Sequence, residues 1–194
     1  MSYGIIEHGP SRGNDYESGI DGERIAIVGY SHHHDPGKPD RDSLTMEVIS
    51  EVISGEKKGY AFFSRVSEYF DSDAAFWNRV LFFNFLPDCI GVTAQRYGTG
   101  SQIQIERGQE RFLRIIREQR PHKVFVFTMK GWRAIQEKTG EATASLGESF
   151  PRFSWDSYTA ADWAFMAFGL RHPQFARAEL MQRAVRRILA IRSL

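Results

Sequence analysis

Most of the side chains able to do chemistry fall in a few short stretches. Ser31 is followed by His32, His33, His34 and Asp35, a hydroxyl, three imidazoles and a carboxylate in five residues. Asn84 closes the apolar run Val80-Leu81-Phe82-Phe83, and its amide carries both donors and an acceptor. Arg171-His172-Pro173-Gln174-Phe175 follows another apolar run and supplies a further imidazole. One chemistry open to this set is serine hydrolysis, with Ser31 as nucleophile, His172 as base and Asn84 in an oxyanion hole. The Gly169-Leu170-Arg171 lead-up provides no acid to orient His172 for that role. A second is metal binding, since alternate residues of an extended loop share a face and His32, His34 and Asp35 could be closed by His172.

Any such site needs elements that bring these stretches together. Residues 1–22 are rich in Gly and lack a sustained period, so they read as an irregular lead-in to one domain over 23–194. Arg24 to Gly29 is a short buried-strand pattern, followed by a polar loop over 30–42. Ser43 is a candidate N-cap with Glu47 behind it, and Leu44, Val48 and Val52 repeat at helical spacing. A second helix is expected over Tyr60 to Phe70 and a second strand over Arg79 to Phe85. A loop over 91–101 precedes a helix marked by Phe112, Ile115 and Ile116, which also carries a basic stripe of Arg107, Arg111 and Arg114. Lys123 to Thr128 gives a third strand and Gly131 to Glu137 a short helix. Residues 138–151 read as a loop and Trp163 to Leu170 as a fourth strand. Met181, Val185 and Ile188 line a C-terminal helix.

Strands alternating with helices predict an α/β fold, a three-layer α/β/α sandwich around a mostly parallel four-stranded sheet. In such sheets ligands bind beyond the carboxyl ends of the strands. The stretches to watch are therefore Gly29 to Asp35, Asn84 to Asp88, Thr128 to Trp132 and Arg171 to Phe175.

Composition narrows the class. The chain has 194 residues, 42% of them hydrophobic, with 15 Phe and 4 Trp, enough for one domain with a real core. Its single cysteine, Cys89, excludes an internal disulfide and a four-cysteine iron–sulfur cluster. No apolar run reaches the ~20 residues of a membrane span, and the start lacks the basic-then-apolar order of a signal peptide. A cytoplasmic protein with no membrane partner is expected. Residues 1–100 hold 9 Lys and Arg against 15 Asp and Glu, whereas residues 101–194 hold 16 against 9. The basic half is a candidate surface for a polyanion.

Four segments, in order, resemble motifs of the uracil-DNA glycosylase superfamily. Ile27-Val28-Gly29-Tyr30-Ser31-His32-His33-His34-Asp35-Pro36 is similar to its water-activating first motif, and Val80 to Asn84 to the strand that ends in a base-reading asparagine. Val124 to Trp132 resembles the next strand and helix start. Phe168-Gly169-Leu170-Arg171-His172-Pro173 is similar to the His-Pro motif before the DNA-intercalating loop. The resemblance covers residues 23–190 and implies hydrolysis of the N-glycosidic bond of a flipped, damaged or deaminated base, or base binding on the same fold without catalysis. It implies no metal and no cofactor.

On that resemblance His172 donates to the leaving base, and Ser31, His32 and His34 are the catalytic candidates around the water. Asn84 reads the base, with Phe62, Phe63 and Tyr30 beside it. Arg171, Gln174, Phe175 and Arg177 meet nucleic acid, Phe175 as a wedge and the helix start near Gln174 as a source of backbone amides for phosphate. DNA is expected ahead of RNA, with a free nucleobase or nucleoside as the small-molecule alternative. The chain departs from the family where Tyr30 and Ser31 stand at the positions of the first-motif carboxylate, and where Gln174 replaces the serine after His-Pro.

Overall fold

Short apolar runs buried along their whole length produce the sheet at the centre of this protein. In the computed structural model residues 6–33, 40–56, 61–90, 98–139, 144–145, 154–160 and 163–191 are described. The strands are β1 (Ser11–Arg12), β2 (Ile25–Gly29), β3 (Val80–Asn84), β4 (Lys123–Val126), β5 (Ala144–Ser145), β6 (Ser154–Ala160) and β7 (Trp163–Gly169). The helices are α1 (Leu44–Ser54), α2 (Ala61–Tyr69), α3 (Gln102–Gln119), α4 (Met129–Thr139) and α5 (Ala178–Leu189), with 3-10 turns at Ala74–Asn78 and Pro173–Phe175.

The strands form one sheet in the order β1-β3-β2-β4-β7-β6-β5. The α/β class expected from the sequence holds, but the sheet is mixed and seven-stranded rather than four-stranded. β3, β2, β4 and β7 run parallel, with Gly29 opposite Asn84 and Val126 opposite Gly169. β1, β5 and β6 add antiparallel edges, and their short or polar sequences carry little apolar alternation.

Alternation along the parallel strands divides the core. Ile25, Ile27, Phe82, Phe125 and Phe168 face one side, where Val48 and Ile49 of α1, Phe63 and Val66 of α2, and Val185 and Ile188 of α5 pack. Ala26, Val28, Phe83, Val124 and Ala167 face the other, against Phe112 and Ile115 of α3 and Trp132 and Ile135 of α4. Each such side chain taken from water stabilises the fold by roughly 1.5–3 kcal/mol. Lys123, fully buried at the start of β4, is held by the Glu23 carboxylate and the Leu189 carbonyl. No helix among the described residues is long and apolar enough to cross a membrane.

Two helix starts differ from the sequence reading. Ser43 does not cap the α1 backbone. It already has helical angles, and its hydroxyl donates to Glu47 Oε1 at 2.6 Å. An N-cap works from an extended residue. α3 does have a capping box, in which Ser101 and Gln104 each satisfy the other's backbone amide, a signal visible as Ser-x-x-Gln.

The lead-in is tied down despite its irregular sequence. Ser11 and Arg12 pair with Leu81 and Phe82, the Gly13 amide donates to the Val80 carbonyl, and Tyr16 is fully buried. It closes the β3 edge of the sheet, which would otherwise offer unpaired backbone groups to another chain.

Candidate functional site

Because β2, β3, β4 and β7 are parallel, their carboxyl ends share one rim of the sheet. Gly29 and Asn84 end paired strands on the face covered by α1, α2 and α5. Asn84 is 6% exposed. Its backbone carbonyl accepts from the Arg111 guanidinium, while its side-chain amide has no hydrogen-bond partner among the described residues. A Cβ at Gly29 would land on Asn84 Oδ1, so the glycine makes room for the amide. The amide is not among the buried side-chain atoms left without a partner, which are His8 Nδ1, Tyr69 Oη and Trp77 Nε1 among the described residues.

Phe62 and His172 lie on the same side. Phe62 is half-buried among Phe63, Phe82 and Phe127, and its ring centroid is 5.6 Å from that of His172. Phe63 is core, packed edge-on against Trp77 and Phe82. The Arg65 guanidinium donates to the Pro173 carbonyl at 3.0 Å and pins the His-Pro turn to α2. Sequence reasoning missed Arg65, because its partner lies 108 residues away and is a backbone atom.

The tautomer of His172 follows from its neighbour. Nδ1 accepts from the Gln174 backbone amide at 3.2 Å. An amide N–H only donates, so the proton of the neutral ring sits on Nε2. Burial and then the Arg65 charge hold His172 below its usual pKa, which favours that neutral, Nε2-protonated ring. A serine hydrolase needs the reverse arrangement, with Nε2 accepting from the nucleophile and an acid on Nδ1. No hydrogen bond joins Ser31 to His172 among the described residues, and Ser31 stands partly exposed at the rim.

The rest of the first motif is divided. Tyr30 follows the alternation to the opposite face, where its ring stacks on Phe85 and its hydroxyl accepts from the Gly100 amide, so it is not brought to Asn84. His32 bonds through Nε2 to Thr45 Oγ1 at 3.0 Å and sits edge-on to His8. Burial, with the neighbouring His8 and Arg111, pushes its pKa down to about 3. An imidazole that weakly basic is a poor proton acceptor near neutral pH. His33 Nδ1 lies 3.3 Å from the Ile90 carbonyl. His34 and Asp35 lie outside the described residues.

His32 makes a testable contribution to acid sensitivity. Its folded pKa lies below the unfolded value of 6.5, so between about pH 3 and 6.5 the unfolded chain binds the extra proton. Stability then falls as pH drops through that window, by at most ~1.4 kcal/mol per pH unit from this residue. Urea unfolding between pH 4 and 6.5 should show a shallower pH slope in His32→Asn than in wild type. An unchanged slope would remove His32 as the source.

The expected phosphate-binding groups are partly redirected. Gln174 and Phe175 belong to a three-residue 3-10 turn, and α5 begins only at Ala178. The Gln174 amide is given to His172, so this turn is not a row of amides offered to phosphate. Phe175 is 61% exposed with its ring 6.0 Å from His172, and Arg171 is half-buried beside it. Arg177 is exposed at the start of α5. The basic stripe of α3 turns toward internal partners: Arg107 pairs with Asp88, and Arg111 and Arg114 pair with Glu7.

No family model matches the chain, and no curated protein matches it in sequence.

Proposed function

We propose that this protein recognises a flipped or free nucleobase at the rim of its sheet and cleaves the N-glycosidic bond that holds it, on a uracil-DNA-glycosylase-like α/β/α scaffold. The observation that carries this reading is the Asn84 side-chain amide, which bonds nothing among the described residues and stands at the rim end of β3, on the sheet face where Phe62 and His172 lie. An amide offers a donor and an acceptor in one plane, which is the complement of a pyrimidine edge.

Cleavage leaves an electron pair on the departing base as the sugar becomes oxocarbenium-like. A neutral His172 with its proton on Nε2 donates to the carbonyl oxygen where that charge gathers. Phe62 supplies an aromatic ring to stack on the base, and exposed Phe175 fills the vacated step of the duplex. Ser31, partly exposed at the rim, positions the attacking water. DNA is the preferred polymer.

Strand incision tests this reading. Oligonucleotides bearing uracil, hypoxanthine, xanthine or an oxidised pyrimidine are incubated with the protein, then cleaved by alkali at abasic sites. Wild type should cut at least one substrate. His172→Ala should lower the rate by ~10²–10³-fold, the usual cost of losing one oxyanion donor. The absence of cleavage on every substrate would reject catalysis. Retained, Asn84-dependent base binding would then favour the non-catalytic reading, which the low pKa of His32 independently supports.

A further inference from the structure

Three side chains that the base site does not use converge beside it. His8 from the lead-in, Asp40 from the loop before α1 and Cys89 from the loop after β3 place ligand atoms within 4.8 Å of one another. We propose that His8, Asp40 and Cys89 bind a borderline divalent cation of the zinc type, which clamps the lead-in and the two rim loops together.

The donor set fits. An imidazole, a carboxylate and a thiolate are all zinc ligands, and the thiolate excludes magnesium or calcium as the preferred ion. Tetrahedral bonds of about 2.0–2.3 Å put neighbouring donors roughly 3.3–3.8 Å apart. Here His8 Nε2 lies 2.7 Å from Asp40 Oδ1, and Cys89 Sγ lies 3.8 Å from the same oxygen, so the observed spacings bracket that range.

Two further observations support a ligand. His8 is 1% exposed, its Nε2 faces Asp40 and its Nδ1 is buried without a hydrogen-bond partner, so the protein satisfies this buried imidazole only in part. The backbones that carry the ligands are also fixed in place. The His8 amide donates to Pro87, the Gly9 amide to Asp42 and the Ile90 amide to His32. A preorganised set of donors lowers the ordering cost of binding. With three protein ligands and a half-buried cysteine, the fourth position is open to water.

Cobalt substitution decides the matter, because Cys89 is the chain's only cysteine and any thiolate-to-cobalt band must arise from it. Full-length protein stripped with chelator is titrated with Co²⁺ and its near-ultraviolet absorption followed. The band should saturate at one equivalent and vanish in Cys89→Ser. His8→Gln and Asp40→Asn should bind Co²⁺ at least tenfold more weakly. Zn²⁺ should displace the cobalt and raise the thermal midpoint of wild type but not of Cys89→Ser. Circular dichroism shows which variants are folded, and the partly exposed Asp40→Asn and Cys89→Ser keep the test open if His8→Gln fails to fold. The absence of a band in wild type, or a band unchanged in Asp40→Asn, would overturn the site. The readout is independent of base cleavage.

Discussion

Asn84→Ala is expected to weaken base binding by ~10²-fold while leaving the thermal midpoint nearly unchanged. Two neutral hydrogen bonds to a base edge contribute about 1–1.5 kcal/mol each, and their loss together gives a factor of that order. Stability should hold because the side-chain amide bonds nothing among the described residues, so no internal hydrogen bond is lost with it. A structural asparagine would behave oppositely, losing stability with its bonds. Asn84→Asp should favour bases that present a donor where the amide nitrogen now faces an acceptor. Fluorescence titration with a free base analogue, alongside thermal melts, reads both quantities. A fall in midpoint of several degrees with unchanged base affinity would show that Asn84 is a packing residue.

The residues that were legible in sequence are those whose role is set locally. Period and apolar runs marked β2, β3, β4, β7 and the apolar faces of α1, α3 and α5, and a parallel sheet places strand ends on one rim. Asn84 and His172 were found because each closes an apolar run. Tyr30 was assigned to the wrong face: the alternation that buries Val28 with Ala26 carries Tyr30 with them, one residue out of phase with Gly29. The α3 stripe was misread for a different reason. Arg111 and Arg114 look like a solvated basic face until Glu7, more than 100 residues away, is brought against them. Long-range ion pairs, Arg65 on Pro173, and the meeting of His8 with Asp40 and Cys89 leave no periodic trace. The contacts of Glu7 and His8 depend on the path of the lead-in along the β3 edge, and its sequence holds no pattern that fixes that path.

Arg111 holds the first described residues of that lead-in, and Arg111→Met is expected to be strongly destabilising. Arg111 is 2% exposed, and its guanidinium donates to the carbonyls of Asn84 and His8 and pairs with Glu7 at 3.2 Å. Burial lowers its pKa to about 10, so it remains charged at neutral pH. Methionine fills much of the volume but leaves both buried carbonyls without a donor and Glu7 with Arg114 alone. Breaking a buried charged network by removing one partner costs about 3–5 kcal/mol. For a domain of this size that is a fall in midpoint of roughly 6–20 °C. Arg111→Lys keeps the charge but not the fork that reaches two carbonyls at once, and should fall between the two. Because the guanidinium holds the Asn84 backbone, Arg111→Lys should also weaken base binding, unlike an equally destabilising change in the distant Met181-Val185-Ile188 core. If Arg111→Met melts within about 2 °C of wild type, the carbonyls find other donors and the lead-in is held by β1 and Tyr16. If it melts early and Arg111→Lys binds base normally, Arg111 secures the fold and takes no part in positioning Asn84.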